Sequence, residues 1–152
     1  MALVMAQTPL PFDLLVFDPN GTPVLAAEVK AQPVADPAKR ERWLRDAATN
    51  ANIQYGLFVD RRSIRLFDLT IAGADGQLLE LPTQTLLECY AHDLDAQRAS
   101  ERYLVQLTDT WLRNVMQPLA SQPPPGIERL RELGVAERLR DGRTEFEWRG
   151  YF

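Results

Sequence analysis

The sequence predicts an α/β fold in which helices flank a mixed, largely antiparallel sheet. Two pairs of short apolar runs are each joined by a turn-forming segment, the pattern typical of a β-hairpin. A capped helical segment separates the two pairs, and a long amphipathic segment follows the second pair. Strands and helices in this order predict one sheet with helices packed on it.

The first half of the chain supplies the predicted hairpins. The apolar runs 12–17 (FDLLVF) and 24–29 (VLAAEV) are joined by DPNGTP, and the runs 55–59 and 64–69 are joined by DRRS. Between them, an aspartate followed by proline predicts a helix N-terminus, and the helix should extend from 36 to about 50. Its expected apolar stripe is Trp43, Leu44, Ala47 and Ala48.

The second half is predicted to be mainly helical. The turn-rich, acidic stretch 71–85 indicates a solvated connection without a function of its own. An amphipathic helix should extend from Asp95 to about Leu119 along the sheet, with Trp111 in the core, and SQPPPG should end it. A last helix is expected over 127 to about 140, before a tail, EFEWRGYF, that alternates like an edge strand. In this tail Trp148 and Tyr151 are candidates for stacking on a base or packing on a second chain.

Length and composition favour one soluble domain. The chain has 152 residues, of which 45% are hydrophobic and 25% charged, values that exclude disordered, collagen-like and coiled-coil classes. We therefore expect residues 1–152 to form a single domain, with an α/β core at 12–69 and a mainly helical extension at 70–152 packed on it. No apolar run is long enough to span a bilayer and no signal peptide is evident, so we expect a cytoplasmic protein without a membrane partner.

The chain has one cysteine and one histidine, which limits the kinds of metal site that it can form. Cys89 cannot form an internal disulfide, and with His92 alone it gives no ligand set for structural zinc. Any metal must therefore bind to carboxylates. The net charge of −4 argues against a histone-like polyanion binder, although a local basic surface is compatible with it.

The residues that suggest chemistry lie in the first hairpin. Asp13 begins one strand, and Glu28 and Lys30 share a face at the end of the other because side chains alternate with a period of two. Of the 17 basic residues only two are lysine, so a lysine at position 30 suggests a need for a compact point charge.

The length of the hairpin loop decides whether the carboxylates meet. A two-residue turn at Asn20-Gly21 places Asp13 directly opposite Glu28, and a four-residue loop makes them diagonal neighbours on one face. A three-residue loop with a glycine bulge would send them to opposite faces unless another bulge restored the parity.

Two carboxylates paired across a hairpin repel each other by roughly 0.2 to 1 kcal/mol and favour a compensating cation. Mg²⁺ prefers oxygen ligands and binds through one or two carboxylates while keeping several waters. With a lysine beside it, such a site suits phosphodiester hydrolysis, since the metal activates water and the ammonium positions that water or offsets developing charge.

The run PFDLLVFDPNGTPVLAAEVK resembles the PD-(D/E)xK nuclease superfamily, and residues 12–69 follow its order of strand, strand, helix and strand. The resemblance implies a restriction-endonuclease-like fold and a nucleic-acid substrate, with DNA expected. It implies Mg²⁺, with Mn²⁺ as a substitute, held by Asp13, Glu28 and the Val29 carbonyl, and Lys30 as the residue that activates water. Phe12 stands where the motif has proline.

The resemblance also implies elements before the first strand for which only residues 1–11 are present, so a second copy or a partner subunit could supply them. The predicted helix carries four cations that could contact phosphates or, balanced by Glu41 and Asp46, form an ordinary surface: Lys39, Arg40, Arg42 and Arg45. Two other readings stay open. One is a nuclease-like domain without catalysis that recognises nucleic acid or protein, and the other is a structural homo-oligomer.

Overall fold

In the part of the chain that the structure describes, six strands form a single sheet and five helices lie on its two faces. A computed structural model describes residues 12–31, 36–71, 73–91, 95–117 and 122–146. The strands are β1 (Leu14–Phe17), β2 (Pro23–Val29), β3 (Tyr55–Val59), β4 (Ser63–Asp68), β5 (Gln77–Pro82) and β6 (Arg143–Phe146). The helices are α1 (Pro37–Asn50), α2 (Thr83–Tyr90), α3 (Glu101–Met116), α4 (Ile127–Glu132) and α5 (Val135–Leu139).

The order of the strands across the sheet is β5-β4-β3-β2-β1-β6. Neighbouring strands are antiparallel except β2 and β3, which run parallel with Val29 beside Val59. A parallel pair needs a crossover connection, and α1 supplies it. The predicted α/β class, with a mixed, mostly antiparallel sheet and flanking helices, is therefore confirmed.

Helix α1 begins where the sequence predicts. The Asp36 carboxylate caps it by accepting a hydrogen bond from the Lys39 amide at 3.1 Å. Leu44 and Ala48 are buried and pack on one face of the sheet with Leu15, Ala26, Phe58 and Phe67. Trp43, predicted to be in the core, is 40% exposed, so that prediction is wrong. Positions 43 and 44 differ by about 100° around a helix, and the buried stripe is centred on Leu44.

The opposite face of the sheet carries the larger core. The last four helices cover it, with Trp111 of α3 buried as predicted. The final predicted helix is divided into α4 and α5 by Gly134, which has a φ of 79°. No helix in the described ranges is both long and apolar enough to cross a membrane.

One stretch differs from the prediction in kind. The segment 71–85 was predicted to be a solvated connection, but only its first half is a turn: β5 follows and pairs antiparallel with β4. Of the tail predicted as an edge strand, 145–152, only Glu145 and Phe146 are described; they end β6, which pairs with β1. The second half of the chain thus adds two strands, β5 and β6, to the sheet. Leu119, Trp148, Tyr151 and His92 lie outside the described residues.

Candidate active site

The β1–β2 hairpin has a three-residue loop and a second irregularity. The Asp18 amide donates to the Thr22 carbonyl, and Gly21, with a φ of 84°, donates to the Asp18 carbonyl, both at 2.9 Å. Further along, Val16 pairs with Leu25 but Phe17 pairs with Pro23, so Val24 is an extra residue in β2. This bulge restores the parity that the loop alone would reverse. Leu14 then lies opposite Ala27, and the amide of the preceding residue, Asp13, also donates to the Ala27 carbonyl.

Asp13 lies just before β1 and is partly buried. Its Oδ2 accepts a hydrogen bond from the Val29 amide at 2.8 Å, and its own amide donates to the Ala27 carbonyl at 3.1 Å. The amide and carbonyl of one strand residue point toward the same edge, so the Val29 carbonyl is also directed toward Asp13. Asp13 thus ties the end of β2 to the start of β1.

Glu28 is the buried acid of the site, with 4% of its surface exposed. Its Oε1 forms an ion pair with the Lys30 Nζ at 3.2 Å and a second ion pair with the Arg40 guanidinium. Burial raises the pKa of Glu28 above its ordinary value, and the negative charge of Asp13 raises it further, whereas the two cations oppose the shift. The charges of Asp13 and Glu28 are therefore close enough to interact.

Lys30 follows β2 at its carboxyl end. Its amide donates to the Val59 carbonyl of β3 at 2.9 Å, which fixes the backbone, while its side chain is 34% exposed. The ammonium group therefore reaches both the buried Glu28 carboxylate and solvent. The carboxyl ends of parallel strands are the usual place for a site in an open α/β sheet.

Arg40 lies in the first turn of α1, where it is partly buried and reaches Glu28. Its guanidinium carbon is 5.4 Å from the centre of the Trp43 ring, and that ring is 6.3 Å from the ring of Phe12. The Nε of Arg40 is buried and donates no hydrogen bond to any described residue. An unsatisfied buried donor costs about 1 to 3 kcal/mol, so the present position of Arg40 carries a penalty.

The other three predicted cations of α1 do not reach this cluster. Lys39 and Arg42 are exposed, and Arg45 donates to the Ile71 carbonyl at 2.8 Å. The structure therefore separates Arg40, which is part of the cluster, from Lys39, Arg42 and Arg45, which lie along the helix beyond it.

The oxygen atoms present suit a hydrated Mg²⁺ better than a closed cage. The described residues hold no group of three or more acidic, histidine or cysteine side chains that could bind a metal. Within them, the second carboxylate oxygens, Oδ1 of Asp13 and Oε2 of Glu28, accept no hydrogen bond. One oxygen from each acid, the Val29 carbonyl and several waters meet the usual demands of Mg²⁺.

A cleft that sequence reasoning missed continues from Lys30 along the same face of the sheet. Its volume is about 260 Å³, and its polar lining includes Lys30, Asp60, Arg62, Ser63, Arg65 and Glu80. The alternation of SIRLFD places Arg65 and Phe67 on one face, but relating them to Glu28 requires the parallel pairing of β2 with β3. Comparison of the chain with protein-family models, curated proteins and solved structures finds no match.

Proposed function

We propose that this protein hydrolyses phosphodiester bonds in nucleic acid, with DNA as the expected substrate, at a site of the PD-(D/E)xK type. The observation that supports the proposal best is the cluster at the end of β2. A buried carboxylate, Glu28, lies beside the Lys30 ammonium at 3.2 Å, and the Asp13 carboxylate accepts a hydrogen bond from the amide of Val29, the residue after Glu28.

Asp13, Glu28 and the Val29 carbonyl are the groups that would hold Mg²⁺, with Mn²⁺ as a substitute. When bound, such an ion polarises a phosphate and lowers the pKa of a water molecule. Because Glu28 is buried, the effective dielectric constant around it is low and its charge interacts strongly with a nearby cation. Asp13 is held in place by the Val29 amide at 2.8 Å. Both acids are therefore positioned before any ligand arrives.

Lys30 has two uses in this reaction. Its ammonium donates hydrogen bonds, so it can orient the attacking water next to Glu28. It can also offset the negative charge that develops on the phosphate oxygens in the transition state. Because its backbone amide is fixed to β3 by the bond to Val59, only its side chain has to adjust.

Substitution of Lys30 by alanine tests the proposal. Lys30→Ala should reduce Mg²⁺-dependent cleavage of a labelled DNA by about 10²-fold or more, the usual contribution of a group acting on the proton or the developing charge. The free energy of unfolding should change by less than about 1 kcal/mol, because Arg40 still pairs with Glu28 and a partly exposed ion pair contributes little.

Arg131→Ala is the control, since Arg131 is an exposed cation on α4, outside the cluster and outside the set predicted to contact phosphates. Cleavage should stay near the wild-type rate in this variant. A Lys30→Ala protein that is folded and cleaves at the wild-type rate would refute the proposed role of the site.

A specific observation also favours a second function, recognition of nucleic acid without catalysis. Both acids already have protein partners, since Glu28 pairs with two cations and Asp13 accepts from the Val29 amide. An intramolecular cation could thus replace the metal permanently. DNA binding that persists while neither Mg²⁺ nor Mn²⁺ supports cleavage would favour this second function over hydrolysis.

A further inference from the structure

We propose that the cleft beside Lys30 binds phosphates of the nucleic-acid strand that flanks the bond to be cleaved, and that Arg65 is its main contact. The inference rests on the proposed function for the identity of the ligand as nucleic acid. It adds a path for the bound nucleic-acid strand, which runs from the two carboxylates across β3 to β4.

The strand pairing places Arg65 in line with the acid cluster. Glu28 lies beside Phe58 in the parallel pair, and Phe58 lies opposite Arg65 in the antiparallel pair. These three residues form one row across the sheet and point to the same face, since paired residues share a face. Strands are about 4.8 Å apart, so Arg65 begins roughly 10 Å from the backbone of Glu28. A strand crossing the active site can reach it within a few nucleotides.

The guanidinium of Arg65 lies near two aromatic rings on this face of the sheet. Its central carbon lies 5.6 Å from the centre of the Phe58 ring and 5.8 Å from that of Phe67. Cation–π contacts engage the face of the guanidinium and leave the N–H groups at its edge for an anion. Arg65 forms no ion pair with any described carboxylate, although Glu80 is its cross-strand neighbour.

The rest of the lining suits a phosphate. Lys30 and Arg62 contribute two further positive charges to the cleft. The Asp60 carboxylate, two residues before Arg62, accepts hydrogen bonds from the amides of Arg62 and Ser63 at 2.7 and 2.9 Å, so it stabilises the β3–β4 turn. Arginine is the side chain that binds phosphate most readily through paired hydrogen bonds.

Binding without metal tests this inference separately from catalysis. Binding of a fluorescein-labelled DNA oligonucleotide is measured by anisotropy in EDTA at several salt concentrations. Arg65→Gln should weaken binding about tenfold, the usual value of a charge-assisted hydrogen bond. The slope of log K against log salt concentration is negative, and its magnitude should decrease by roughly 0.7 to 0.9, as expected for the loss of one phosphate contact.

Arg131→Gln is the matched control, because Arg131 is exposed on α4, which packs on the other face of the sheet. Its affinity and salt slope should equal those of the wild type. Should Arg65→Gln fail to fold, Arg62→Gln replaces it: Arg62 is exposed in the β3–β4 turn, and its loss should weaken binding about threefold or more.

Three results would overturn the inference. The first is a folded Arg65→Gln protein with wild-type affinity and salt slope. The second is that inorganic phosphate stabilises the wild type but not Arg65→Gln, while both proteins bind the oligonucleotide equally well. The cleft would then bind a free anion and not the nucleic acid. The third is a wild-type protein that does not bind the oligonucleotide at low salt, which would refute the proposed function as well. Arg65-dependent binding without cleavage in Mg²⁺ or Mn²⁺ would refute hydrolysis alone and leave the cleft in place.

Discussion

At the scale of single residues, the unusual feature is one carboxylate oxygen shared by two cations. The sequence predicted that Glu28 and Lys30 share a face, because their spacing requires it in any strand. It did not predict that Arg40 joins them, since the direction of a helical side chain depends on how the helix docks. Arg40 was predicted to contact a phosphate or to belong to an ordinary charged surface, and in the structure it forms an ion pair with Glu28.

The competition between Arg40 and a metal gives one prediction. Arg40→Ala removes a cation from Glu28 and should tighten Mn²⁺ binding about tenfold, measured by isothermal titration calorimetry. The free energy of unfolding should change by less than about 1 kcal/mol, as in Lys30→Ala, because the remaining cation, Lys30, still pairs with Glu28.

Arg42→Ala is the control for this prediction, since Arg42 is exposed on the same helix. It should bind Mn²⁺ as the wild type does. Weaker Mn²⁺ binding in Arg40→Ala would show that Arg40 supports the metal site rather than competing for it.

The raised pKa of Glu28 gives a prediction about pH. The folded protein holds the Glu28 proton more tightly than the unfolded chain, in which the glutamate has its ordinary pKa of 4.5. This contribution to stability is complete below pH 4.5 and is lost as the pH rises through the higher, folded-state pKa. Compared with Glu28→Gln, the wild type should therefore gain stability on acidification through this window, as measured by urea unfolding.

As the pH falls through the same window, the affinity for Mn²⁺ should also fall, because a carboxylate must be deprotonated to bind the metal. A stability difference between the wild type and Glu28→Gln that does not change with pH would contradict the assignment.

At the scale of elements, the first hairpin shows which structural features the sequence predicts and which it does not. Both strands and the turn residues DPNG were predicted. The sequence was compatible with a hairpin loop of two, three or four residues. The loop is the three-residue form, and the bulge at Val24 that restores the parity has no sequence signal, because valine is an ordinary strand residue. Local chemistry predicted the hairpin, whereas its register depends on how both strands pack against the sheet.

Gly21 should matter to this hairpin through its backbone alone. Its φ is 84°, and a Cβ at this position would meet no atom within 4 Å. Gly21→Ala should therefore lower the free energy of unfolding by about 1 to 2 kcal/mol, the cost of a left-handed conformation for an L-residue. Gly21→Asn should lose less, because asparagine tolerates this conformation. Equal stability of the wild type and Gly21→Ala in urea unfolding would show that the loop adopts another form.

The missed strand, β5, has a physical explanation. It lies at the edge of the sheet, and each of its residues is exposed or half-buried, so no fully buried apolar run marks it. The glycines and aspartate just before it belong to a short turn, and their composition concealed the strand that follows. Helix α1 and the α3 segment were predictable because a cap and a long apolar period mark them.

At the scale of the whole molecule, the two faces of the sheet carry different cores. Of the helices in the described ranges, four pack on one face with the larger core, and α1 packs on the other. The face that carries α1 also holds Glu28, Lys30 and the cleft that ends near Glu80. A nucleic-acid strand bound at the acids would cross this face, and the sequence predicted α1, α3 and the α4–α5 segment without predicting which face each would cover.

The pairing of β1 with β6 joins parts of the chain that are far apart in sequence, with Leu14 opposite Phe146. Contacts between such distant segments form slowly, because a large loop must close first. Until β6 docks, the backbone of β1 is an unpaired edge, which can recruit strands from other molecules. The hairpin that carries the acids is thus vulnerable to aggregation early in folding, and refolding yield should depend on how fast the distant strand arrives.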